Sequence, residues 1–136
     1  IVKTTLFNII ISQQIGYGFY DKAYLHIYDF IHSYINIPDT SGRDSLFQAE
    51  ARRCKNILTT IENNKEERHF CVFDELYSGT NPYEAIGSPV SFLKYLNNYS
   101  NVSFIITTHF IDLCNRLDNN KNIINCNMKV NTNDEK

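Results

Sequence analysis

Two short apolar runs stand out along the chain, and polar residues follow each of them. The first run covers residues 69–73 and is followed by Asp74 and Glu75, while the second covers residues 102–106 and leads through two threonines to His109. Runs of this length, rich in β-branched and aromatic residues, predict buried strands. Two buried strands with polar residues at their carboxyl ends are typical of an open α/β sheet that hydrolyses nucleotides.

A helix is predicted before the first of these strands, over residues 45–61. Its apolar positions repeat at i, i+4, i+7 and i+11, and they are Phe47, Ala51, Cys54 and Leu58. One buried helical face has this spacing. Its solvent-facing side carries Gln48, Arg52 and Lys55. The pair Arg52–Arg53 could contact a phosphate, but on an amphipathic helix we interpret it as solvated. A second helix, at residues 6–14, is apolar almost all round and is expected to be fully buried.

The remaining segments complete an alternating pattern. A further helix ends near residue 96; either Asn81 caps it and Pro89 kinks it, or Ser88 is the cap and Pro89 the first helical residue. The other predicted elements are extended pieces within 25–37, a short helix at 110–117, a last strand near 123–130 and a polar tail at 131–136. Without repeats or a linker, this order predicts one α/β domain over residues 1–136, with a mostly parallel sheet flanked by helices.

Composition excludes several classes of protein. The 136 residues are 43% hydrophobic, which suits one domain with a real core, and the net charge of −2 gives no basic footprint for nucleic acid. The four cysteines have no C-x-x-C spacing, so we expect free thiols in a reducing, cytoplasmic or nuclear compartment. The longest apolar run, residues 6–11, is too short to span a membrane.

Asp74 and Glu75 are the leading candidates for chemistry. Adjacent carboxylates can divide the work of nucleotide hydrolysis, because one can hold Mg²⁺ or its water and the other can orient the attacking water. His109, on the neighbouring strand, would reach the γ-phosphate. The alternative is that Asp74 and Glu75 simply open a solvated loop. The other histidines, His26, His32 and His69, lie in aromatic or strand contexts and are predicted to be packing or surface residues.

Several motifs, in order, resemble those of the MutS family. Residues 41–50 open a helix with a Ser-Gly-rich turn, and free N–H groups at such a helix start can receive a phosphate. This segment is similar to the MutS version of the ABC signature, although Asp44 looks like an insertion and Leu46 replaces the usual Thr. The positions that keep the pattern are Ser45, Phe47, Glu50 and residues 56–58.

The other motifs extend the resemblance over residues 6–130. Residues 76–85, Leu-Tyr-Ser-Gly-Thr-Asn-Pro-Tyr-Glu-Ala, run in step with the family's Ile-Gly-Arg-Gly-Thr-Ser-Thr-Tyr-Asp-Gly. Residues 14–16 and 125–128 are similar to its Gln/Tyr-Ile-Gly and Asn-x-His-Met segments. The sequence of residues 74–85 looks closer to that of MutS-like proteins of large DNA viruses than to that of the cellular enzymes.

The resemblance implies an ABC-type P-loop fold, with ATP bound between two such domains in a homo- or heterodimer. It also implies a role for each matching residue: Asp74 supports Mg²⁺, Glu75 orients the hydrolytic water, Gln14 contacts the metal-water shell, His109 senses the γ-phosphate, Ser45 and Gly42 meet the partner's ATP, and Asn81 lies in an interface loop. ATP turnover would be coupled to DNA held by domains outside this chain.

Lys3 could be mistaken for the lysine of a phosphate-binding loop. Residues 3–5, Lys-Thr-Thr, resemble the end of a Walker A loop, yet Val2 stands where a Gly is needed for the backbone to approach the phosphate. Lys3 also lies twelve residues before Ile15, whereas the family's spacing is about sixteen. We therefore interpret Lys3 as part of the helix after the P-loop, and expect the Gly-rich loop upstream of Ile1, so that this fragment alone is inactive.

The predicted function is that of a DNA-dependent ATPase domain of a MutS-like mismatch repair protein. One alternative is another ABC-type domain, of a chromosome clamp or a transporter, but the Leu-Ser-Gly-Gly-Gln of those proteins is absent here. The other alternative is a non-catalytic dimerisation module derived from an ATPase.

Overall fold

The structure is a computed structural model that describes residues 1–35, 37, 45–77, 79 and 84–129. Within these ranges it contains three strands and four helices. The strands are β1 (Phe30–Tyr34), β2 (His69–Asp74) and β3 (Val102–Thr107), and the helices are α1 (Val2–Ile15), α2 (Leu46–Asn63), α3 (Glu84–Leu96) and α4 (Ile111–Leu117).

The three strands form one parallel sheet in the order β1-β2-β3. Residues 69–73 of the central strand are all buried, which explains their continuous apolar run. The register pairs Phe30 with His69 at the amino end of the sheet and Asp74 with Thr107 at its carboxyl end. The predicted small α/β domain with a parallel sheet is therefore confirmed.

Helices cover both faces of the sheet. Alternate side chains of β2 point to opposite faces: Cys71 and Phe73 belong to the larger core, while Phe70 and Val72 pack with Val2 of α1. The larger core also contains side chains from α2, α3 and α4, among them Cys54, Ile57, Ile61, Phe92, Leu93, Leu96, Leu113 and Leu117. The polar residues at the carboxyl ends of β2 and β3 therefore lie between the helices on one face of the sheet and those on the other.

α2 begins where its sequence indicates. Ser45 is the N-cap, its hydroxyl oxygen accepts from the Gln48 backbone N–H at 3.3 Å, and the Gln48 side chain accepts from the Ser45 N–H at 3.1 Å. This capping box satisfies two backbone donors that the helix itself leaves free. Of the face predicted for this helix, Cys54 is buried and the other three positions are partly buried against the core, while the sequence pattern missed the buried Ile57 and Ile61. The solvated interpretation of Arg53 is wrong, because its guanidinium donates two hydrogen bonds to the Ser33 carbonyl.

Three predicted elements differ from the structure. α1 was expected to be fully buried, but it packs on the sheet through one face only, and Phe7 on the opposite side is 60% exposed. α3 runs through Pro89, so a start with Ser88 as the cap is wrong, while Asn81 lies outside the described residues. Residues 123–129 contain no strand; instead, the Asn125 side chain donates to the Cys114 carbonyl and to Asp118.

The cysteines are free thiols, as expected, but not all of them are buried. Cys54 and Cys71 lie in the core, Cys114 is half-buried, and Cys126 is exposed. Burial raises the pKa of the Cys71 thiol to about 12 and, as its largest cause, that of Cys54 to about 11. The two core thiols therefore remain protonated and act as packing groups.

Candidate functional site

The carboxyl ends of β2 and β3 bring the leading candidates together. The Thr107 hydroxyl donates to Asp74 Oδ1 at 2.7 Å. One residue further along, the Glu75 backbone N–H donates to the Thr107 carbonyl at 3.1 Å. Thr107 therefore fixes the Asp74 carboxylate and the backbone of Glu75 from the neighbouring strand.

Glu75 and His109 face each other across this edge. Glu75 Oε1 lies 3.5 Å from His109 Nδ1, and the two side chains are 54% and 59% exposed. The His109 ring packs against Phe110, with ring centroids 4.1 Å apart, and the Phe110 N–H donates to the Thr108 hydroxyl at 3.0 Å. Both side chains are thus oriented by their surroundings while remaining accessible to a ligand.

The turn after Asp74 has an unusual backbone. Glu75 has a φ of 53° and Tyr77 a φ of 58°, and non-glycine residues in this left-handed region each cost of order 1–3 kcal/mol. Between them, Leu76 is almost completely buried, and so is Tyr77 itself. The Tyr77 N–H donates to the Tyr34 hydroxyl at 3.3 Å. Packing and this hydrogen bond therefore hold the turn that aims Glu75.

The start of α2 packs against the same turn. The rings of Phe47 and Tyr77 have centroids 5.5 Å apart, and a Cβ added to Gly79 would lie 2.1 Å from Leu46 Cδ2. A side chain at Gly79 would therefore displace the first residue of α2. Ser45 precedes that residue and is exposed, and since its oxygen accepts from Gln48, its hydroxyl proton remains available to an acceptor.

The other predicted ligand residues do not join this group. Gly42 and Asn81 lie outside the described residues. Gln14 is in the last turn of α1, next to Gln13, whose amide exchanges two hydrogen bonds with the backbone of Tyr28 just before β1. Gln14 thus lies near the amino edge of the sheet, and β2 extends about 16 Å from there to Asp74. Within this domain, the structure therefore does not bring Gln14 together with Asp74 and Glu75.

Lys3 lies in the first turn of α1 with an exposed side chain, and the preceding Val2 is 3% exposed. Val2 packs with Phe70 and Val72 in the smaller core. A residue buried in this way occupies a packing position, which agrees with the interpretation of Lys3 as a helix residue.

The donor set suits a magnesium–nucleotide complex better than a free metal ion. In the described part of the chain, no three or more His, Cys, Asp or Glu side chains group as a metal site. Mg²⁺ keeps several waters and binds through one or two carboxylates together with substrate phosphates. Asp74 uses one oxygen to accept from Thr107 and keeps its second oxygen for such a contact.

A cavity of about 1090 Å³ follows the outer edge of β3. β3 pairs with β2 on one side, and in the described ranges no strand pairs with its other side. The cavity runs from Val102 to Thr107, Thr108 and His109, with Ile1 and Val2 in its wall. It therefore opens beside the candidate site.

Thr107, Tyr34 and Tyr77 were not identified as site residues from the sequence. Thr107 had a visible signal, because it follows an apolar run and lies two residues before the candidate His109. The two tyrosines had none, since their link joins positions 43 residues apart. Only the fold brings them together.

Comparisons with known proteins relate this chain to one family. The family model described as MutS domain V matches residues 2–136. Among curated relatives, the DNA mismatch repair protein MutS of Macrococcus caseolyticus is 30% identical over 106 residues, 74% of this chain and 12% of that protein. The MutS of Fusobacterium nucleatum is 29% identical over 114 residues, 82% of this chain and 12% of that protein.

A third relative has a different name. The Endonuclease MutS2 of Agathobacter rectalis is 29% identical over 93 residues, 68% of this chain and 11% of that protein. This chain therefore spans about a tenth of the length of the curated relatives it matches. No solved structure matches it. None of the helices in the described ranges has the length and apolar character needed to cross a membrane.

Proposed function

The chain belongs to the MutS family, whose domain V it matches almost throughout, and on that premise we propose that it binds and hydrolyses ATP as the ABC-type P-loop ATPase domain of a MutS-like DNA mismatch repair protein. The observation that carries the proposal is the juxtaposition of Asp74, Glu75 and His109 at one edge of the sheet, with Thr107 fixing the first two. The family match also favours this proposal over a transporter or chromosome-clamp domain.

Each side chain at this edge has a separate task in ATP hydrolysis. Mg²⁺, bound with ATP, would neutralise charge on the phosphates. Asp74 would hold the metal or one of its waters through the oxygen that Thr107 does not occupy. Glu75 is exposed and would orient the attacking water, while His109, 3.5 Å from its carboxylate, would contact the γ-phosphate.

The nucleotide would be shared between two subunits. Ser45 begins an 18-residue helix, and its hydroxyl proton and the partial positive charge of the helix start would face the partner's ATP. Gly42 and Asn81 are proposed for the same interface, and the partner is either an identical or a related chain. DNA would be bound by domains outside this chain, which agrees with its net charge of −2.

The proposal is tested by the substitution Glu75→Gln in the full-length protein. ATP binding is expected to stay within a few-fold of wild type, because the amide keeps the shape of the side chain. Single-turnover hydrolysis is expected to fall by roughly 10²–10⁴, because the water loses its orienting carboxylate. Nucleotide binding by fluorescence titration and hydrolysis by rapid quench separate the two steps.

The matched control is Glu66→Gln, the same change at an exposed glutamate in the loop before β2. It is expected to leave binding and hydrolysis unchanged. Hydrolysis by Glu75→Gln at the rate of this control would remove Glu75 from the mechanism and would favour the non-catalytic dimerisation module.

A further inference from the structure

The turn that carries Glu75 is attached to the body of the domain through a buried polar chain. The Tyr77 N–H donates to the Tyr34 hydroxyl at 3.3 Å, and the Glu50 carboxylate of α2 interacts with that hydroxyl and raises its pKa. The Tyr77 hydroxyl interacts with the Cys54 thiol, one turn further along α2. All four side chains are at most 6% exposed.

This chain of contacts joins three elements that are distant in sequence. Tyr34 is the last residue of β1, Glu50 lies in the second turn of α2, and Tyr77 follows β2 by three residues. Burial and the Glu50 carboxylate raise the pKa of Tyr34 far above its ordinary value, so its hydroxyl keeps the proton that it donates. The Tyr34 hydroxyl therefore accepts from the Tyr77 N–H while it keeps its own proton for the Glu50 carboxylate.

The turn needs such an anchor because its backbone is not in a favoured conformation. Glu75 and Tyr77 both have positive φ, and neither is glycine. Such conformations persist where the surroundings over-determine them. Leu76 supplies apolar burial between them, but the Tyr34 hydroxyl is the group that binds the Tyr77 backbone directly.

We propose that Tyr34 and Glu50 are positioning residues for ATP hydrolysis, which hold Glu75 in its working orientation by anchoring the backbone of Tyr77. The inference rests on the proposed function and deepens it. The same contacts connect the first turns of α2 with Glu75 of the same subunit. In the proposed function, the first turns of α2 face the partner's nucleotide and Glu75 orients the hydrolytic water. Neither Tyr34 nor Glu50 is expected to touch ATP.

The test is Tyr34→Phe in the full-length protein, which removes the hydroxyl and keeps the ring in the core. We expect kcat for ATP hydrolysis to fall at least tenfold, because small misplacements of a catalytic group cost up to about 10²-fold. KM for ATP is expected to stay within about twofold, since no group that binds the nucleotide has changed.

Tyr95→Phe is the matched control. Tyr95 also donates from its hydroxyl to a glutamate of α2, Glu62, at 2.8 Å, but at the far end of the helix and on the surface. Its kcat is expected to equal that of wild type. Glu50→Gln is the conservative variant, because its amide oxygen can still accept from Tyr34, and it is expected to retain most of the activity that Glu50→Leu loses.

Amide hydrogen exchange at residues 75–77 supplies a readout that does not depend on turnover. Faster exchange there in Tyr34→Phe than in Tyr95→Phe, together with the loss of kcat, supports the proposal. Equal kcat and equal exchange in the two variants overturn it while leaving the proposed function intact. Absence of ATP hydrolysis by the wild-type protein overturns the proposed function and the positioning role together, whatever the exchange rates show.

Discussion

At the scale of single residues, Thr107 is the support on which the candidate site depends. Its hydroxyl binds the Asp74 carboxylate and its carbonyl binds the Glu75 backbone, so one residue holds the Asp74 side chain and the backbone that carries Glu75. A hydrogen bond to a charged group contributes about 1.5–3 kcal/mol. Loss of the hydroxyl is therefore expected to affect the metal contact first, because Asp74 would no longer be held in one rotamer.

Thr107→Val tests this role with little change of shape. We expect the Mg²⁺ concentration that supports half-maximal ATP hydrolysis to rise about tenfold, the equivalent of roughly 1.4 kcal/mol. A magnesium titration of the steady-state rate measures it. The control is Thr60→Val, which removes a hydroxyl bonded only to its own helix, at the Asn56 carbonyl. If both variants have the wild-type magnesium dependence, Thr107 does not orient Asp74.

The backbone conformation of Tyr77 could not be predicted from the sequence. The family motif has Gly at this position, which suits the left-handed φ of 58° found here. Tyrosine keeps the same backbone conformation because its ring packs on Phe47 and its N–H binds Tyr34. Asp74, Glu75 and His109 could be predicted from their place after apolar runs, but a compensation of this kind depends on tertiary contacts.

At the scale of elements, a pair of buried histidines joins the middle of β1 to the start of β2. His69 Nε2 lies 2.8 Å from the Asn64 carbonyl, which can only accept, so the ring proton of His69 is on Nε2. His69 Nδ1 then accepts from His32 Nε2 at 3.0 Å. Burial, followed by the neighbouring His69 and Arg53, lowers the pKa of His32 from 6.5 to about 4. The His32 ring is therefore neutral in the folded protein near pH 7.

This pair is expected to make stability depend on pH. Above pH 6.5 both states are neutral at His32, and its contribution is fully present; between pH 6.5 and about 4 only the unfolded state takes up the proton. The free energy of unfolding should therefore fall by roughly 2–3 kcal/mol over this range because of His32. Urea unfolding at pH 7, 5.5 and 4 measures the fall.

The same series with His32→Gln should lack this part of the pH dependence. His26→Gln, at an exposed histidine beside Arg68, is the control and should keep it. An unchanged pH dependence in His32→Gln would show that the pair is not the source. The sequence predicted His32 and His69 as packing or surface residues, and both are buried, but their hydrogen bond depends on the strand register.

Elements with a strong pattern of their own were predicted well. The apolar runs of β2 and β3 and the four-three-four spacing of α2 correspond to what the structure contains. The last strand was wrong because residues 123–129 have no paired neighbour in the described ranges, and a strand needs a ladder partner. The helix α3 continues through Pro89, which was one of the two alternatives that the sequence left open. Proline is compatible with either a kink inside a helix or a helix start.

At the scale of the whole molecule, two surfaces of this domain are not covered by any other part of the described structure. α1 exposes Phe7 and Ile15 on the side away from the sheet, and the outer edge of β3 borders a cavity that reaches His109. The start of α2 presents Ser45 to solvent beside the turn that carries Glu75. The proposed site, shared between two subunits, would account for an exposed helix start and for the exposed Glu75 and His109 side chains at the same edge.

The measurement that tests this account most directly is complementation between two inactive full-length variants. Ser45→Arg should block closure on the partner's nucleotide by steric bulk, and Asp74→Asn should disable the subunit's own metal contact. In a mixed dimer, the Asp74 of one chain meets the Ser45 of the other, so one composite site is intact. After random exchange, half of the dimers are mixed, and ATPase activity should return to about one quarter of the wild-type rate. If labelled subunits demonstrably exchange and activity stays at the level of the single variants, the shared site is contradicted.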